Sequence, residues 1–179
     1  MPRELAEYQE LANMRMIFQA ANQAATTTSA GLTTTNLGLC LSNPAASTVN
    51  LVLLQMGVSV IGAPAALSVI GLQGGFAAAG VVTHTTALVP LSTYINQTAA
   101  TGTGKADAAA TTVGTPVIIM PLGVTPITGA TAQVVNPPVV LNNFDFKGSI
   151  IIPPGGWVSL YTSTALSVIA GMMWAEVRA

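Results

Sequence analysis

Charge is nearly absent from half of this chain. No Lys, Arg, Asp or Glu occurs in the 89 residues from Met16 to Gly104, and the only histidine of the sequence, His84, lies in that stretch. Charged residues make up 6% of all 179 residues, against about 25% in an average soluble domain. Thr, Ser, Asn and Gln supply the polarity instead, so we expect surfaces that contact other protein.

The charge balance also argues against nucleic acid as a partner. Six acidic and five basic residues give a formal net charge of -1. Binding to nucleic acid draws much of its free energy from basic side chains that release counterions from the phosphates. We therefore expect no nucleic-acid partner.

Residues that carry catalysis or bind metals are equally scarce. The single cysteine, Cys40, excludes an intramolecular disulfide, and its setting between two leucines predicts a small buried hydrophobe. His84 stands among threonines, where a hydrogen-bonded structural imidazole is expected. Asp107 and Asp145 are too far apart in sequence to suggest a metal site. We expect no catalytic, cofactor-binding or metal-binding residue, no small-molecule substrate and no enzyme activity.

A membrane span is also not expected. Residues 51–82 contain no charge, but Gly, Pro, Gln and Ser interrupt every window of about 20 residues, the length that a spanning helix needs. No basic residues flank the stretch. The glutamates at positions 4, 7 and 10 stand where a signal peptide would be positively charged.

The sequence begins with a helical pattern. Apolar residues recur at steps of three and four from Pro2 to Gln23, and the early glutamates suit the positive end of a helix dipole. We predict an amphipathic helix of about twenty residues within an arm of residues 1–25. Two interpretations stay open: the helix packs on its own domain, or it docks on a neighbouring subunit. The candidate partner-docking residues are Leu5, Leu11, Met14 and Phe18.

Residues 26–179 have the pattern of an all-β domain. Short alternating or apolar runs are separated by breaks rich in Gly, Pro and Asn, which predicts an antiparallel, jelly-roll-like β-sandwich. The predicted strands include 37–41, 49–61, 149–152, 157–162 and 166–177. Trp157 and Trp174 lie inside such strands and are expected in the core or in a subunit interface. Residues 98–112, small and polar, are expected to form a mobile surface loop.

Two segments carry a resemblance to known proteins. The first is Ser42-Asn43-Pro44-Ala45-Ala46-Ser47-Thr48-Val49-Asn50-Leu51-Val52-Leu53-Leu54, and the second is Gly148-Ser149-Ile150-Ile151-Ile152-Pro153-Pro154-Gly155-Gly156-Trp157-Val158-Ser159-Leu160 with the ending Met172-Met173-Trp174-Ala175-Glu176-Val177. They resemble tailed-bacteriophage virion structural proteins, which have an NPAGSG-like turn early and a PPGGY turn with a W-x-E-V ending late. Here Trp157 replaces the tyrosine, and Ala46-Ser47-Thr48 replaces the glycine-containing turn.

The resemblance implies a structural protein of the virion. It suggests a capsid decoration or cement protein that assembles as a homotrimer on the capsid surface and contacts the major capsid protein. Two alternatives stay open: a tail or fibre component involved in host adsorption, and a non-viral carbohydrate-binding β-sandwich. A tail or fibre component would be expected to expose an aromatic cluster on the 98–112 segment, which contains no aromatic residue. A carbohydrate-binding sandwich would use exposed Trp or Tyr near acidic residues, and only Tyr94 and Tyr161 are candidates for that role.

Overall fold

The computed structural model of the chain describes residues 3–61, 66–93, 102–125 and 142–179, the first five of them and Asn142 by backbone alone. These ranges contain one α-helix and twelve β-strands. In chain order they are α1 (Arg3–Asn13), β1 (Ile17–Ala21), β2 (Thr26–Thr27), β3 (Thr35–Ser42), β4 (Val49–Val60), β5 (Val69–Phe76), β6 (Thr83–Leu88), β7 (Leu91–Ser92), β8 (Lys105–Thr111), β9 (Val117–Val124), β10 (Asn142–Ile152), β11 (Gly156–Thr162) and β12 (Ser167–Arg178).

The strands form two sheets in which neighbouring strands are antiparallel. Sheet A has the order β10-β4-β12-β1-β7, with β2 also paired to β12. Sheet B has the order β6-β8-β3-β11-β5-β9. The chain crosses between the sheets along β3, β4 and β5 and again along β9, β10, β11 and β12. Each crossing places sequence neighbours in opposite layers, so the sheets form the two layers of a sandwich.

The main core lies between the two sheets. Alternate residues of the central strands are buried there, and they come from both layers: Leu39 and Leu41 of β3, Leu51, Leu53 and Met56 of β4, Leu72 of β5, Val158 and Leu160 of β11, and Val168, Met172 and Trp174 of β12. This arrangement confirms the predicted all-β sandwich. The five strand predictions given above are confirmed within one or two residues at most ends, although β10 begins earlier than predicted. Trp157 and Trp174 are both buried.

The prediction of a twenty-residue helix is wrong. The helix α1 ends at Asn13 in a Schellman-type cap, in which the Met16 amide donates to the Leu11 carbonyl over 3.0 Å and the Arg15 amide donates to the Ala12 carbonyl over 3.0 Å. Arg15 adopts the required left-handed conformation, with a φ of 59°. Because glycine usually occupies that position, the sequence carried no stop signal there.

The second half of the predicted arm belongs to the sandwich. Residues 17–21 form β1, which pairs with β12 and brings the Phe18 ring to 6.2 Å from the Trp174 ring, between centroids. The helix itself packs on the outer face of sheet A, where Leu11 contacts a cluster built on Ile17, Leu54 and Ala175. The structure therefore has the helix on its own domain, the first of the two interpretations left open.

The predicted mobile loop at 98–112 is also wrong over most of the part that the structure describes. Lys105–Thr111 form β8, the second strand of sheet B, between β3 and β6. The strand is rich in alanine, and the small side chains of Ala106 and Ala110 are almost fully buried. Residues 98–101 lie outside the described residues.

The two segments that carry the family resemblance meet in space. Asn43 and Gly156 are joined by a backbone hydrogen bond of 2.9 Å, and the Gly155 amide donates to the Asn43 carbonyl over 2.9 Å. The early Asn-Pro turn and the late Pro-Pro-Gly-Gly turn thus form one end of the sandwich, although more than one hundred residues separate them in sequence.

Candidate functional site at an apolar edge of the sandwich

The candidate site lies where one edge strand of each sheet meets the other. Strand β9 forms an outer edge of sheet B, and β10 forms an outer edge of sheet A. In sheet B, β5 pairs with β9 and β11 pairs with β5, and residues of these three strands and of β10 line a cleft on this side of the sandwich. We call this region the β9 edge; it comprises β9, Phe76 and the C-terminal end of β10.

The β9 edge exposes large apolar side chains in a continuous run. Residues 117–120 are all exposed, and their exposed fractions range from 55% at Val117 to 38% at Met120. Phe76 at the end of β5 is 56% exposed, and Ile151 on β10 is 60% exposed. Single exposed apolar residues are common, but a contiguous group of this kind marks a contact surface for another molecule.

This surface carries no compensating charge. Strands β5, β9 and β11 contain no Lys, Arg, Asp or Glu. Soluble proteins normally protect a long apolar edge strand with inward-pointing or edge charges, especially lysine. The β9 edge thus lacks the charges that usually protect an exposed edge strand.

The backbone of β9 is poorly suited to pairing with an added strand. Pro121 has no amide hydrogen, and the register of β9 against β5 shifts twice, between Ile70 and Gly71 and between Leu72 and Gln73. Proline and bulges both interrupt the regular row of donors and acceptors that strand addition requires. A partner would therefore pack against the side chains of the β9 edge and would not extend sheet B.

An apolar cleft opens between the two layers at this edge. It has a volume of about 330 Å³ and is lined by β9 residues Val117 and Ile119, by β10 residues Ile150 and Ile152, and by Val158 of β11. Gly74 forms part of the wall, and a Cβ atom there would lie 2.6 Å from the Ile119 Cδ1 atom. The glycine therefore lets the Ile119 side chain lie directly against β5.

The four docking residues predicted from sequence do not share one exposed surface in the part of the chain that the structure describes. Phe18 is buried in the main core with an exposed fraction of 6%, so its assignment to a docking surface was wrong. Leu11 is partly buried against the protein's own sheet A. Met14 is 57% exposed just beyond the end of α1. The side chain of Leu5 lies outside the described residues.

The β9 edge was missed by the sequence reasoning, although one signal pointed to it. The run Val117-Ile118-Ile119-Met120 is apolar without alternation, and such a run is typical of a strand buried on both faces. The structure instead places this strand at an edge with both faces partly open. Among the residues that the structure describes, this apolar run is left partly uncovered.

His84 is hydrogen-bonded, as predicted, and its partner is a buried carboxylate. The His84 Nδ1 atom lies 2.7 Å from the Asp107 Oδ2 atom. The Asp107 side chain has no solvent exposure, and its Oδ1 atom has no hydrogen-bond partner. Burial raises the pKa of the Asp107 carboxyl above its usual range, although the hydrogen bond and charge of His84 act in the opposite direction.

This pair does not form a catalytic constellation with Cys40. Cys40 faces Asp107 across the β3-β8 ladder and is buried, as predicted. Burial, followed by the nearby Asp107 charge, strongly raises the pKa of the thiol. A thiol must ionise to act as a nucleophile, so Cys40 is chemically inert in the folded protein.

The described part of the chain offers neither a metal-binding cluster nor a membrane-spanning helix. It contains no group of three or more His, Cys, Asp or Glu side chains that could hold a metal ion. Among the same residues, no helix is both long and apolar enough to cross a membrane.

Comparison with known proteins gives no relative from which a function could be transferred. The chain matches no protein-family model, no curated protein and no solved structure.

Proposed function

We propose that this chain is a structural protein of a virus particle, specifically a capsid decoration or cement protein. In this proposal it assembles as a homotrimer and binds the outer surface of the major capsid protein. The observation that carries the proposal is the β9 edge, an uncharged apolar surface on a domain with no described catalytic or metal-binding group.

The energetics of assembly support a structural role. Permanent interfaces between subunits are more apolar than the rest of a protein surface, and their centres are poor in charged residues. A charged side chain buried in such a contact would lose its hydration, at a cost of several kcal/mol. A chain with 6% charged residues avoids that cost over most of its surface, which suits a subunit covered by neighbours on several sides.

The resemblance to tailed-bacteriophage virion proteins adds a second line of support. The residues that carry it, around Asn43 and Gly155, are the ones that hydrogen-bond to each other at one end of the sandwich. The two motifs thus act as one structural unit that closes the fold. This role explains why they would occur together in a family of β-sandwich subunits.

The finer fold assignment is also part of the proposal. We assign the sandwich to the jelly-roll class, because consecutive strands alternate between the layers along β3–β5 and along β9–β12. In a jelly roll, a long antiparallel hairpin folds over on itself, so that successive strands fall in alternate sheets. The alternation is interrupted from β5 to β6 and from β8 to β9, because β6 and β8 both lie in sheet B, where β8 pairs with β3 and β6 pairs with β8.

Helix α1 is the proposed contact to the capsid. It lies on the outer face of sheet A and not at the β9 edge, so both surfaces can be covered at once. Met14, exposed at the end of the helix, is the described docking candidate that remains available to a partner. Removal of residues 1–14 is expected to weaken binding to capsids and to leave self-assembly intact; unchanged capsid binding would contradict this assignment.

Electron microscopy of intact virions tests the proposed location. An antibody against the purified protein, detected with gold, is expected to label the head over its whole surface. Label confined to the tail would overturn the decoration role and would favour the alternative of a tail or fibre component.

The proposed cementing role needs a separate measurement. Particles with and without the protein are heated, and the retained DNA is measured. We expect particles that lack the protein to release DNA at lower temperature. Equal DNA retention by both particles would contradict a cementing role even if the protein lies on the head.

A further inference from the structure

We propose that the Phe76 ring of one copy inserts into the apolar cleft of a second copy and anchors the contact between subunits. This inference rests on the proposed self-assembly of the chain and specifies its contact.

Phe76 is an unusual aromatic in this protein. Among the described Phe, Tyr and Trp side chains, Phe76 is the one that is largely exposed, at 56%. Phe18, Phe146, Trp157 and Trp174 are all buried. Large aromatic rings dominate the binding energy of protein interfaces, especially where they fill a pocket of the partner. An exposed ring at the margin of an apolar surface is therefore the natural anchor.

Two glycine-containing turns pack against the backbone at Phe76. Gly114 and Gly155 both adopt positive φ angles, 75° and 83°, and pass so close to the carbonyl oxygens of Phe76 and Ala77 that a Cβ atom on either glycine would lie 2.7 Å away. The Ala77 amide also donates to the Gly155 carbonyl over 3.1 Å. Backbone that is already held by neighbouring turns has less conformational freedom to lose on binding, so less of the contact energy is spent on ordering it.

The cleft matches the ring in size and chemistry. Its volume is about 330 Å³, and an apolar cavity of about 150 Å³ is large enough to hold benzene. Most of its lining is aliphatic, including Val117, Ile119 and Ile152. These aliphatic side chains offer an aromatic ring dispersion contacts, and Thr115 is the one hydroxyl side chain of the lining.

The occupant is another copy of this chain because ring and cleft lie on the same edge. Phe76 stands at the mouth of its own cleft, so each copy presents an anchor and a receptor side by side. The surrounding strands β5, β9 and β11 are uncharged, and a second copy offers an equally uncharged surface. Repetition of the contact from copy to copy closes a ring when the rotation between copies allows it.

The test compares three variants with the unmodified chain. Phe76→Ala removes the anchor. Leu67→Ala is the matched control, since Leu67 is 52% exposed just before the opposite end of β5. Val117→Phe places a larger side chain at the mouth of the cleft, where Val117 is 55% exposed and the free subunit can accommodate it. Mass is measured by light scattering over a concentration series, and circular dichroism checks that each variant is folded.

We expect Phe76→Ala to raise the dissociation constant at least about thirtyfold, as for a hot-spot residue, and Leu67→Ala to change it less than about twofold. Val117→Phe should also weaken association. Mixing the two weakened variants should restore mixed oligomers in native mass spectrometry, because one supplies an open cleft and the other supplies the ring. If Phe76→Ala and Leu67→Ala associate equally, or if mixing restores nothing, the inference is overturned.

The outcomes also separate this inference from the proposed function. An assembly of three copies that survives Phe76→Ala overturns the anchor and leaves the trimer in place. An assembly of two copies that depends on Phe76 supports the anchor and overturns the trimer. An unmodified chain that stays monomeric at every concentration overturns both.

Discussion

The side-chain amide of Asn43 donates a hydrogen bond to the carbonyl oxygen of Ile152 over 3.0 Å, at a position that is almost fully buried. The same amide donates to the Val49 carbonyl over 2.8 Å. Asn43 therefore joins the start of β4 in one half of the sequence to the end of β10 in the other. This one side chain connects the two turn segments on which the family resemblance depends.

Asn43→Ala is expected to destabilise the protein by about 2–4 kcal/mol, because two hydrogen bonds are lost and two carbonyl groups near the core are left without that donor. The measurement is urea unfolding followed by circular dichroism. Ala45→Ser, at an exposed position of the same turn, is the control and should change the free energy of unfolding by less than about 0.5 kcal/mol. Equal stability of the two variants would show that the Asn43 bonds contribute nothing.

Glu176 fixes the start of β8 through its carboxylate. It accepts hydrogen bonds from the Thr103 amide at 2.9 Å and from the Gly104 amide at 2.8 Å, and it is 8% exposed. Hydrogen bonds to a charged group contribute about 1.5–3 kcal/mol each, so Glu176→Ala should lower the free energy of unfolding by about 3 kcal/mol.

Amide hydrogen exchange provides the specific readout for Glu176. Faster exchange at Thr103 and Gly104 is expected in Glu176→Ala, well beyond any change at β4. Glu10→Ala, on the exposed face of α1, is the control. Uniform acceleration over the whole chain would indicate general destabilisation and would argue against a local anchor.

Ionisation of Asp107 is expected to lower the free energy of unfolding, so the contribution of this residue to stability is more favourable in mild acid than at neutral pH. Its folded-state pKa is raised by burial, so the folded state holds the proton more tightly than the unfolded state, whose value is about 3.9. The carboxyl group therefore lowers stability as pH rises from about 4 through the raised pKa, and its unfavourable contribution is complete above that pKa.

Asp107→Asn tests this sign. The amide can still accept a hydrogen bond from His84 but does not titrate. Urea unfolding at a series of pH values between 3 and 8 should show the variant gaining stability relative to the unmodified chain as pH rises through that window. A relative stability that stays constant, or falls as pH rises, would contradict the raised pKa.

Cys40 should not react with thiol reagents in the folded state. Its pKa is strongly raised by burial, so both access and the thiolate form are missing. Ellman's reagent is expected to label about one thiol per chain in denaturant and almost none in native buffer. Rapid labelling of the native protein would mean that the face of β3 that carries Cys40 opens far more often than global unfolding allows.

Much of the fold was encoded in local sequence pattern. Alternating residues such as Trp157 and Ser159 predicted β11, and the Gly- and Pro-rich breaks around it set its ends within a residue or two. These properties depend on residue type and near-neighbour spacing, which a sequence displays directly.

Tertiary structure decided what local pattern left ambiguous. Residues 17–21 fit both a helical and a strand pattern, and pairing with β12 selected the strand because it buries Phe18 against Trp174. The alanines of β8 have no distinct pattern, and neighbouring strands bury them. The β9 edge and its cleft form because β9 and β10, the edge strands of the two sheets, lie on the same side of the sandwich.

By itself, then, the sequence determined the all-β class and the lack of charge, since both are properties of residues and their near neighbours. Only the fold decided which apolar residues stay exposed, since that depends on which strands find partners.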